Sequence, residues 1–339
     1  MVSSCASFEV ERYEAEEGPL GQIARLTAVA FVIGSMMAAP APEVARAATG
    51  GGSQSAGGAK RERSGPGRPG GPDLRSNVAL VIDTAQGETL YTKHADQVAP
   101  IASITKLMTA MVVLDAQCPL DEVVEIDRAD VDTRKHTRSR LPVGARLGRG
   151  ELLWVALMAS ENRAASALAH TYPGGTGVCL EAMNRKAREL GMFRTRFTDA
   201  AGLSGENVSS AEDLSRMVLA ASGYPAIRAA TTSSFHAVTL SNGRVLEFHN
   251  SDGLVNNKTW NIGLSKTGYI NEAGRCLVLQ AEIATRQVVI VLLDSWGKYT
   301  RLGDANRIRK WMEATLPPPG TAQDEIPRTG PARAGGARF

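Results

Sequence analysis

Three short strings stand in order along this 339-residue chain, and a fold that uses them must bring them to one place: Ser103-Ile-Thr-Lys106, Ser160-Glu-Asn162 and Lys266-Thr-Gly268. Together they offer a nucleophilic serine, a lysine able to take its proton, a second serine with a carboxamide beside it, and a cation on a strand edge. That set suits acyl transfer by a Ser–Lys pair in place of Ser–His–Asp. No single string decides the matter. S-x-x-K also matches at Ser295-Trp-Gly-Lys298, whereas S-x-N occurs only at Ser160 and K-T-G only at Lys266. Order, spacing and local context carry the reading.

On a helix, residues three apart share a face, so the Ser103 hydroxyl and the Lys106 ammonium can meet. A serine at a helix N-terminus sits in a positive backbone field that favours developing negative charge. Leu107 and Met108 flank Lys106; burial there lowers a lysine's pKa and makes it a base. An N-cap serine with a solvated lysine fits the same residues, and the two later strings tip the balance. In a tight corner between helices, Ser160 and Asn162 both point into one cleft. Ser160 then relays a proton to a leaving amine and Asn162 holds a substrate amide. Taken alone, this string reads as an ordinary helix-capping corner. On a strand, Lys266 presents charge to a carboxylate and Thr267 adds a hydroxyl donor. Gly268 admits a close backbone approach, so a substrate is expected to pair there as an added β-strand. The plain alternative is a solvated edge lysine with Gly268 as a bulge. The backbone N–H groups of Ser103 and Tyr269 are expected to form an oxyanion hole.

Residues 78–83 and 89–93 read as a β-hairpin. Pro100-Ile-Ala-Ser103 leads into an apolar helix over 104–114. Short helices are predicted over 150–159 and 163–170, with the Ser160 corner between them. Residues 179–190 are amphipathic and end at Gly191, a C-cap. Ser209-Ser-Ala-Glu212 is a capping-box pattern opening a helix over 211–221. Strands follow over 235–240 and 244–248, around the hairpin signal Asn242-Gly243. A strand over 262–269 carries the third string, and 276–283 with 287–293 form an apolar hairpin around Thr285-Arg286. Residues 298–314 close as a helix rich in Arg and Lys. The pattern is α+β: a helical cluster flanked in sequence by pieces of one antiparallel sheet.

Hydrophobic residues make up 43% and charged residues 22%, as in a globular protein. A net charge of +3 gives no reason to expect a nucleic acid partner. No apolar run of about 18 residues or more marks a membrane span. Residues 1–47 read as a signal peptide: Arg25, an apolar run over 26–39 ended by Pro40 and Pro42, then Ala45-Arg46-Ala47 as an A-x-A cleavage site. The long acidic stretch before Arg25 is atypical of such a signal, and a start downstream of Met1 would explain it. Export points to the periplasm, with a retained signal as a loose membrane tether. Cys5 lacks the small-residue context of lipid attachment. Residues 48–75, rich in Gly, Ser, Pro and Arg, read as a flexible linker. Gly65-Pro-Gly67-Arg-Pro-Gly70 lies there without a preceding strand or following helix, so it is no dinucleotide fingerprint. Residues 76–316 are then the catalytic domain and 317–339 a disordered tail. Cys5, Cys118, Cys179 and Cys276 include no C-x-x-C pair and no histidine at metal-ligand spacing. Neither a metal nor a cofactor is expected. Three cysteines remain after signal removal, compatible with one disulfide and a thiol or with three thiols.

In these residues the chain resembles the penicillin-recognising serine D,D-peptidases. Within them it is similar to the low-molecular-mass penicillin-binding proteins, the D-alanyl-D-alanine carboxypeptidase and endopeptidase family. The likeness spans residues 77–315 and includes Ser139-Arg-Leu-Pro-Val-Gly144, 158–165, Gly202-Leu-Ser204, Glu206-Asn-Val208 and 263–278. It implies a β-lactamase/D,D-peptidase-like fold, a helical cluster packed on a five-stranded antiparallel sheet with the cleft between. It implies Ser103 as nucleophile, Lys106 as general base and Ser160 as proton relay. Asn162, Lys266, Thr267 and Gly268 would bind substrate, with Tyr269 and Ser103 lending the oxyanion hole. The implied partners are peptidoglycan stem peptides and cross-links. Ser103 would attack a D-alanine carbonyl and form an acyl-enzyme that water releases, and β-lactam antibiotics would inhibit by acylating the same serine.

Many carboxypeptidases of the family carry a second β-rich domain and an amphipathic C-terminal anchor, whereas the tail here has no apolar stripe. The Leu-Ser-Lys266-Thr-Gly-Tyr269 and Gly274-Arg-Cys276 context resembles the endopeptidase branch, the penicillin-binding protein 7/8 type. There the scissile bond joins D-Ala to the D-centre of diaminopimelate, which keeps a free carboxylate. Lys266 therefore serves either substrate, and the motifs do not separate a D,D-endopeptidase from a carboxypeptidase. A β-lactamase of the E-x-x-L-N type is disfavoured, because none of Glu181, Glu189, Glu206, Glu212 or Glu247 sits in such a string. A penicillin or cell-wall sensor is the rival of another class.

Overall fold

Continuous apolar runs in the last strands organise the domain, which a computed structural model describes over residues 71–315. The expected signal peptide at 1–47, most of the 48–75 linker and the 317–339 tail lie outside the described residues. β1 (Ser76–Asp83) and β2 (Glu88–Lys93) form the first hairpin. β3 (Ala99–Pro100) leads through a 3₁₀ turn, Ala102–Ile104, into α1 (Thr105–Asp115). β4 (Val123–Glu125) pairs with β5 (Arg146–Gly148) ahead of α2 (Arg149–Met158), α3 (Asn162–His170) and α4 (Gly175–Glu189). β6 (Val208–Ser209) pairs with β3, and α5 (Ala211–Ser222) and α6 (Pro225–Thr232) follow. β7 (Phe235–Thr239) and β8 (Val245–His249) form a hairpin. β9 (Asn261–Ile270), β10 (Gly274–Ile283), β11 (Arg286–Ser295) and α7 (Thr300–Thr315) complete the domain.

The main sheet runs β2-β1-β11-β10-β9, antiparallel throughout, so β9 is an edge and β11 is central. Strand side chains alternate between faces, and on β11 both faces are covered. Val289, Val291 and Leu293 join the core under the helical cluster. Val288, Ile290 and Leu292 face the other way and pack with Ala305, Ile308 and Met312 of α7. Each of these buried Val, Leu, Ile and Met side chains contributes about 1.5–3 kcal/mol. This two-sided burial explains why β11 reads as a continuous apolar run.

Several local expectations are corrected. The hairpin β7–β8 stays out of the main sheet and forms its own two-stranded sheet. It is pinned on α2, where His236 meets Glu151 at 2.7 Å and stacks on Trp154 at 5.2 Å. The cap of α5 is Ser210, whose hydroxyl accepts from the Asp213 N–H at 3.2 Å. Ser209 is taken up in pairing with β3, which shifts the capping register by one residue. The β10–β11 turn is Ala284-Thr285, both at positive φ (49° and 63°), rather than Thr285-Arg286. Helix α4 starts at Gly175, before the amphipathic stretch expected from 179. Cys118, Cys179 and Cys276 are free, and burial pushes the Cys179 and Cys276 thiols up to about 12. Among the described residues no helix is long and apolar enough to cross a membrane.

Candidate active site

Ser103 sits in the middle of the 3₁₀ turn that runs directly into α1, at the N-terminal end of that helix rather than inside it. The preceding Ala102 has φ +48°, a left-handed conformation that a residue with a Cβ adopts at some cost. Tertiary contacts hold it there. The Thr105 hydroxyl donates to the Ala102 carbonyl at 2.8 Å, and the buried Asn207 amide donates to that hydroxyl at 3.0 Å. Two glycines from other elements press on the turn. A Cβ at Gly202, itself at φ +76°, would lie 2.0 Å from the Ala102 oxygen. A Cβ at Gly268 would lie 2.9 Å from the Ile101 oxygen and 3.1 Å from the Ser103 nitrogen. Gly268 thus also lets β9 approach the Ile101–Ser103 backbone closely.

Lys106 is 1% exposed and donates to three oxygens: Ser103 Oγ at 2.8 Å, Asn162 Oδ1 at 2.7 Å and the Ala201 carbonyl at 2.6 Å. Burial lowers its pKa to about 8, against the opposing pull of the Asp199 and Glu161 carboxylates. The Ala201 carbonyl is aimed by a loop wound around Asp199. That carboxylate accepts from the backbone N–H groups of Ala201 (2.8 Å), Gly202 (2.5 Å), Leu203 (3.1 Å) and Ser204 (2.7 Å). The same carbonyl lies 3.4 Å from the Ser103 hydroxyl.

The second string is shared between the other two. Ser160, at φ +59°, turns the chain from α2 towards α3, and its Oγ accepts from Lys266 Nζ at 2.9 Å. Asn162 is the first residue of α3, behind the N-cap Glu161. Its carboxamide gives Oδ1 to Lys106, while Nδ2 donates to Thr137 Oγ1 at 2.9 Å. Thr137 in turn donates to Asp132 at 2.8 Å. A relay of Asp132, Thr137 and Asn162 thus fixes which end of the carboxamide meets the lysine.

Lys266 is 1% exposed on the edge strand β9. Its pKa is held well below the ordinary range, first by burial and then by the Lys106 and Arg301 charges, with Asp252 opposing. Thr267 Oγ1 donates to Ser251 Oγ at 2.8 Å. Tyr269 is half exposed, with the Arg275 guanidinium 4.5 Å from its ring centre. Arg301, in the first turn of α7, is buried, and its Nε and Nη1 have no hydrogen-bond partner among the described residues. Two buried lysines and this arginine make the cleft attractive to an anionic group.

Ser103, Lys106, Ser160, Asn162, Lys266 and Gly268 therefore meet between β9, the 3₁₀ turn and the α2–α3 corner; Thr267 and Tyr269 flank Gly268 on β9, where their side chains bond Ser251 and Asn271. The competing Ser295 does not join them: its hydroxyl bonds Ser76 Oγ at 2.7 Å, away from this cleft. Asp199, Ala201, Thr137, Ser251 and Arg301 had no assigned part in the sequence reading. Of these only Asp199 carries a local signal, an Asx-type turn ahead of Gly202.

The profile of the D-alanyl-D-alanine carboxypeptidase family matches residues 66–297. A D-alanyl-D-alanine endopeptidase of Pseudomonas aeruginosa is 48% identical over 242 residues, 71% of this chain and 78% of that protein. Among solved structures, the Streptomyces K15 DD-transpeptidase matches with a TM-score of 0.67 at 28% identity, covering 71% of this chain and 98% of that one. Penicillin-binding protein D2 of Listeria monocytogenes, solved in its ampicillin-bound form, matches with a TM-score of 0.60 at 29% identity, covering 70% and 97%.

Proposed function

Since the chain belongs to the D-alanyl-D-alanine carboxypeptidase family of serine peptidases, we propose that it is a penicillin-sensitive D,D-endopeptidase that cleaves D-alanyl cross-links of peptidoglycan through an acyl-enzyme on Ser103. The observation that carries this reading is the 2.8 Å contact of Lys106 Nζ with Ser103 Oγ, made by a lysine whose pKa burial has lowered to about 8. The endopeptidase assignment leans on the relative from Pseudomonas aeruginosa. The second reading, a carboxypeptidase that trims pentapeptides, is favoured by the family's description and uses the same groups.

In this mechanism Ser103 Oγ attacks the D-alanine carbonyl carbon and its proton passes to neutral Lys106. The backbone N–H groups of Ser103 and Tyr269 receive the developing oxyanion. Ser160, held by Lys266, passes a proton to the departing amine. Asn162 holds a backbone amide of the substrate, and Lys266 with Thr267 faces its carboxylate. Water then takes the place of the amine and releases the acyl group. β-Lactams acylate the same serine, a reading supported by the ampicillin-bound neighbour. Export to the periplasm through the 1–47 signal belongs to the same proposal.

The test is digestion of isolated cross-linked muropeptide dimers and of pentapeptide monomers, read by mass spectrometry beside a Ser103→Ala control. Conversion of dimer to monomer, absent in the control, is the expected result. Loss of terminal D-alanine alone selects the carboxypeptidase, and no change in either substrate overturns the hydrolase.

Two further outcomes follow. Because the folded pKa of Lys106 is lowered to about 8, the neutral base is the minor form below that pH and the major form above it. Penicillin acylation should rise about tenfold per pH unit below 8 and level off above it. A flat or falling profile in stopped-flow labelling contradicts a lysine base. Thr137→Val removes the hydroxyl that orients the Asn162 carboxamide. It should slow acylation about tenfold while lowering stability by only about 1 kcal/mol; an unchanged rate removes Thr137 from the positioning relay.

A further inference from the structure

A second cavity system opens beside Ser160. One lobe, of about 440 Å³, is lined by Arg138, Arg140, Glu161, Phe248 and His249, together with Ser139 and Ala159. A neighbouring lobe of about 660 Å³ is lined by Arg140, Arg163, Arg244 and Glu247, and the two share Ser139 and Arg140. The walls are the 138–142 segment on one side and β8 on the other.

The charge in this groove is unbalanced. Four arginines face two carboxylates. Glu161 is buried and already accepts from the Arg163 N–H at 3.1 Å as the N-cap of α3. Arg140 and Arg163 are held in place by backbone carbonyls: Arg140 donates to Glu247 and lies 5.8 Å from the Phe248 ring centre, and Arg163 donates to Leu141 at 2.7 Å. The exposed Arg138 and Arg244 guanidiniums have no hydrogen bond or ion pair among the described residues. The groove thus holds two anchored cations and two free ones, a set suited to several carboxylates along one extended ligand.

Position gives the groove a direction. Ala159 and Glu161 in its wall bracket Ser160, the group that passes a proton to the departing amine in the mechanism above. Ser160 itself turns its hydroxyl to Lys266 and does not line the groove, so the groove adjoins the cleft only at the α2–α3 corner, beside the group that serves the departing amine. We propose that it binds the departing strand of the cross-link, an acidic peptide, with Arg138, Arg140 and Arg244 taking carboxylates beyond the one that faces Lys266. The proposal rests on the cross-link reading of the cleft. It distinguishes a dimer, which has such a strand, from a pentapeptide, whose leaving group is a single D-alanine.

Binding tests it apart from turnover. The full chain carrying Ser103→Ala is titrated with purified cross-linked dimer by calorimetry, then again with Arg138→Glu and Arg244→Glu added. Charge reversal should raise Kd about tenfold or more, and Arg138→Lys should restore most of the affinity. A dimer with its departing-strand carboxylates amidated, except the one that faces Lys266, should bind the arginine-bearing protein as weakly as native dimer binds the reversed one. A Kd unmoved by charge reversal, or by amidation, overturns the groove. Arginine-dependent binding without dimer cleavage by the unmutated protein sinks the endopeptidase and keeps the groove. Cleavage with arginine-independent binding does the opposite.

Discussion

Lys106→Met will slow acylation of Ser103 by about 10³- to 10⁴-fold, the range expected when an essential general base is removed. The effect is chemical rather than structural. Methionine fills a similar volume and carries no charge into a position that is 1% exposed, so it avoids the desolvation that lowers the lysine's pKa. It also leaves the Asn162 oxygen without its lysine donor, at about 1–3 kcal/mol for a buried group left unpaired, while the Ala201 carbonyl keeps the Ser103 hydroxyl at 3.4 Å. The two terms oppose, and the protein should stay folded. Lys106→Arg keeps a donor but cannot act as a base, since guanidinium does not deprotonate in this range; it should be as slow as Met. Stopped-flow labelling with fluorescent penicillin checks both. A rate within tenfold of the unmutated protein for either variant assigns the proton to another group.

Gly202→Ala carries the largest expected structural effect. The new Cβ would lie 2.0 Å from the Ala102 oxygen and 2.9 Å from the Ser103 nitrogen, and Gly202 is at φ +76°. Backbone, not a flexible side chain, must yield, and the backbone in the way is the strained turn that carries Ser103. We expect a stability loss of about 2–4 kcal/mol and loss of labelling by more than about 100-fold. Gly87→Ala is the matched control. Its φ of +66° is similar, but nothing lies within 4 Å of the added carbon, so only the conformational cost of about 1 kcal/mol applies. Thermal unfolding of the two variants decides it. Equal losses contradict the view that Gly202 shapes the Ser103 turn.

What was legible in the sequence follows from what is local. The three strings, the β1–β2 and β10–β11 hairpins and helices α1 to α3 depend on neighbours within a few residues. The α+β arrangement on a five-stranded sheet came through the family resemblance. The hairpin β7–β8 was legible as a hairpin, but its Asn-Gly turn and alternation are the same whether it extends a sheet or packs alone on α2. Helix α6 was missed although Pro225 at its first turn is a start signal. The lysine's third acceptor is a backbone carbonyl, Ala201, and no residue identity announces a carbonyl. Its aim depends on how the single connection between α4 and β6 winds around Asp199 and Asn207. Arg301 lies in a helix rich in Arg and Lys and reads as surface; only packing against β10 and β11 buries it near Lys266. The purpose of Gly268 was half legible: close approach was foreseen, but its partner, the Ser103 backbone, is distant in sequence.

The most direct test of the central claim, that Ser103 is the residue acylated, is peptide mapping by tandem mass spectrometry after brief exposure to benzylpenicillin. One adduct with the mass of the intact antibiotic is expected, on the peptide containing Ser103 and absent from the Ser103→Ala protein. An adduct on Ser295 or any other residue, or persistence of the adduct in that variant, would contradict it.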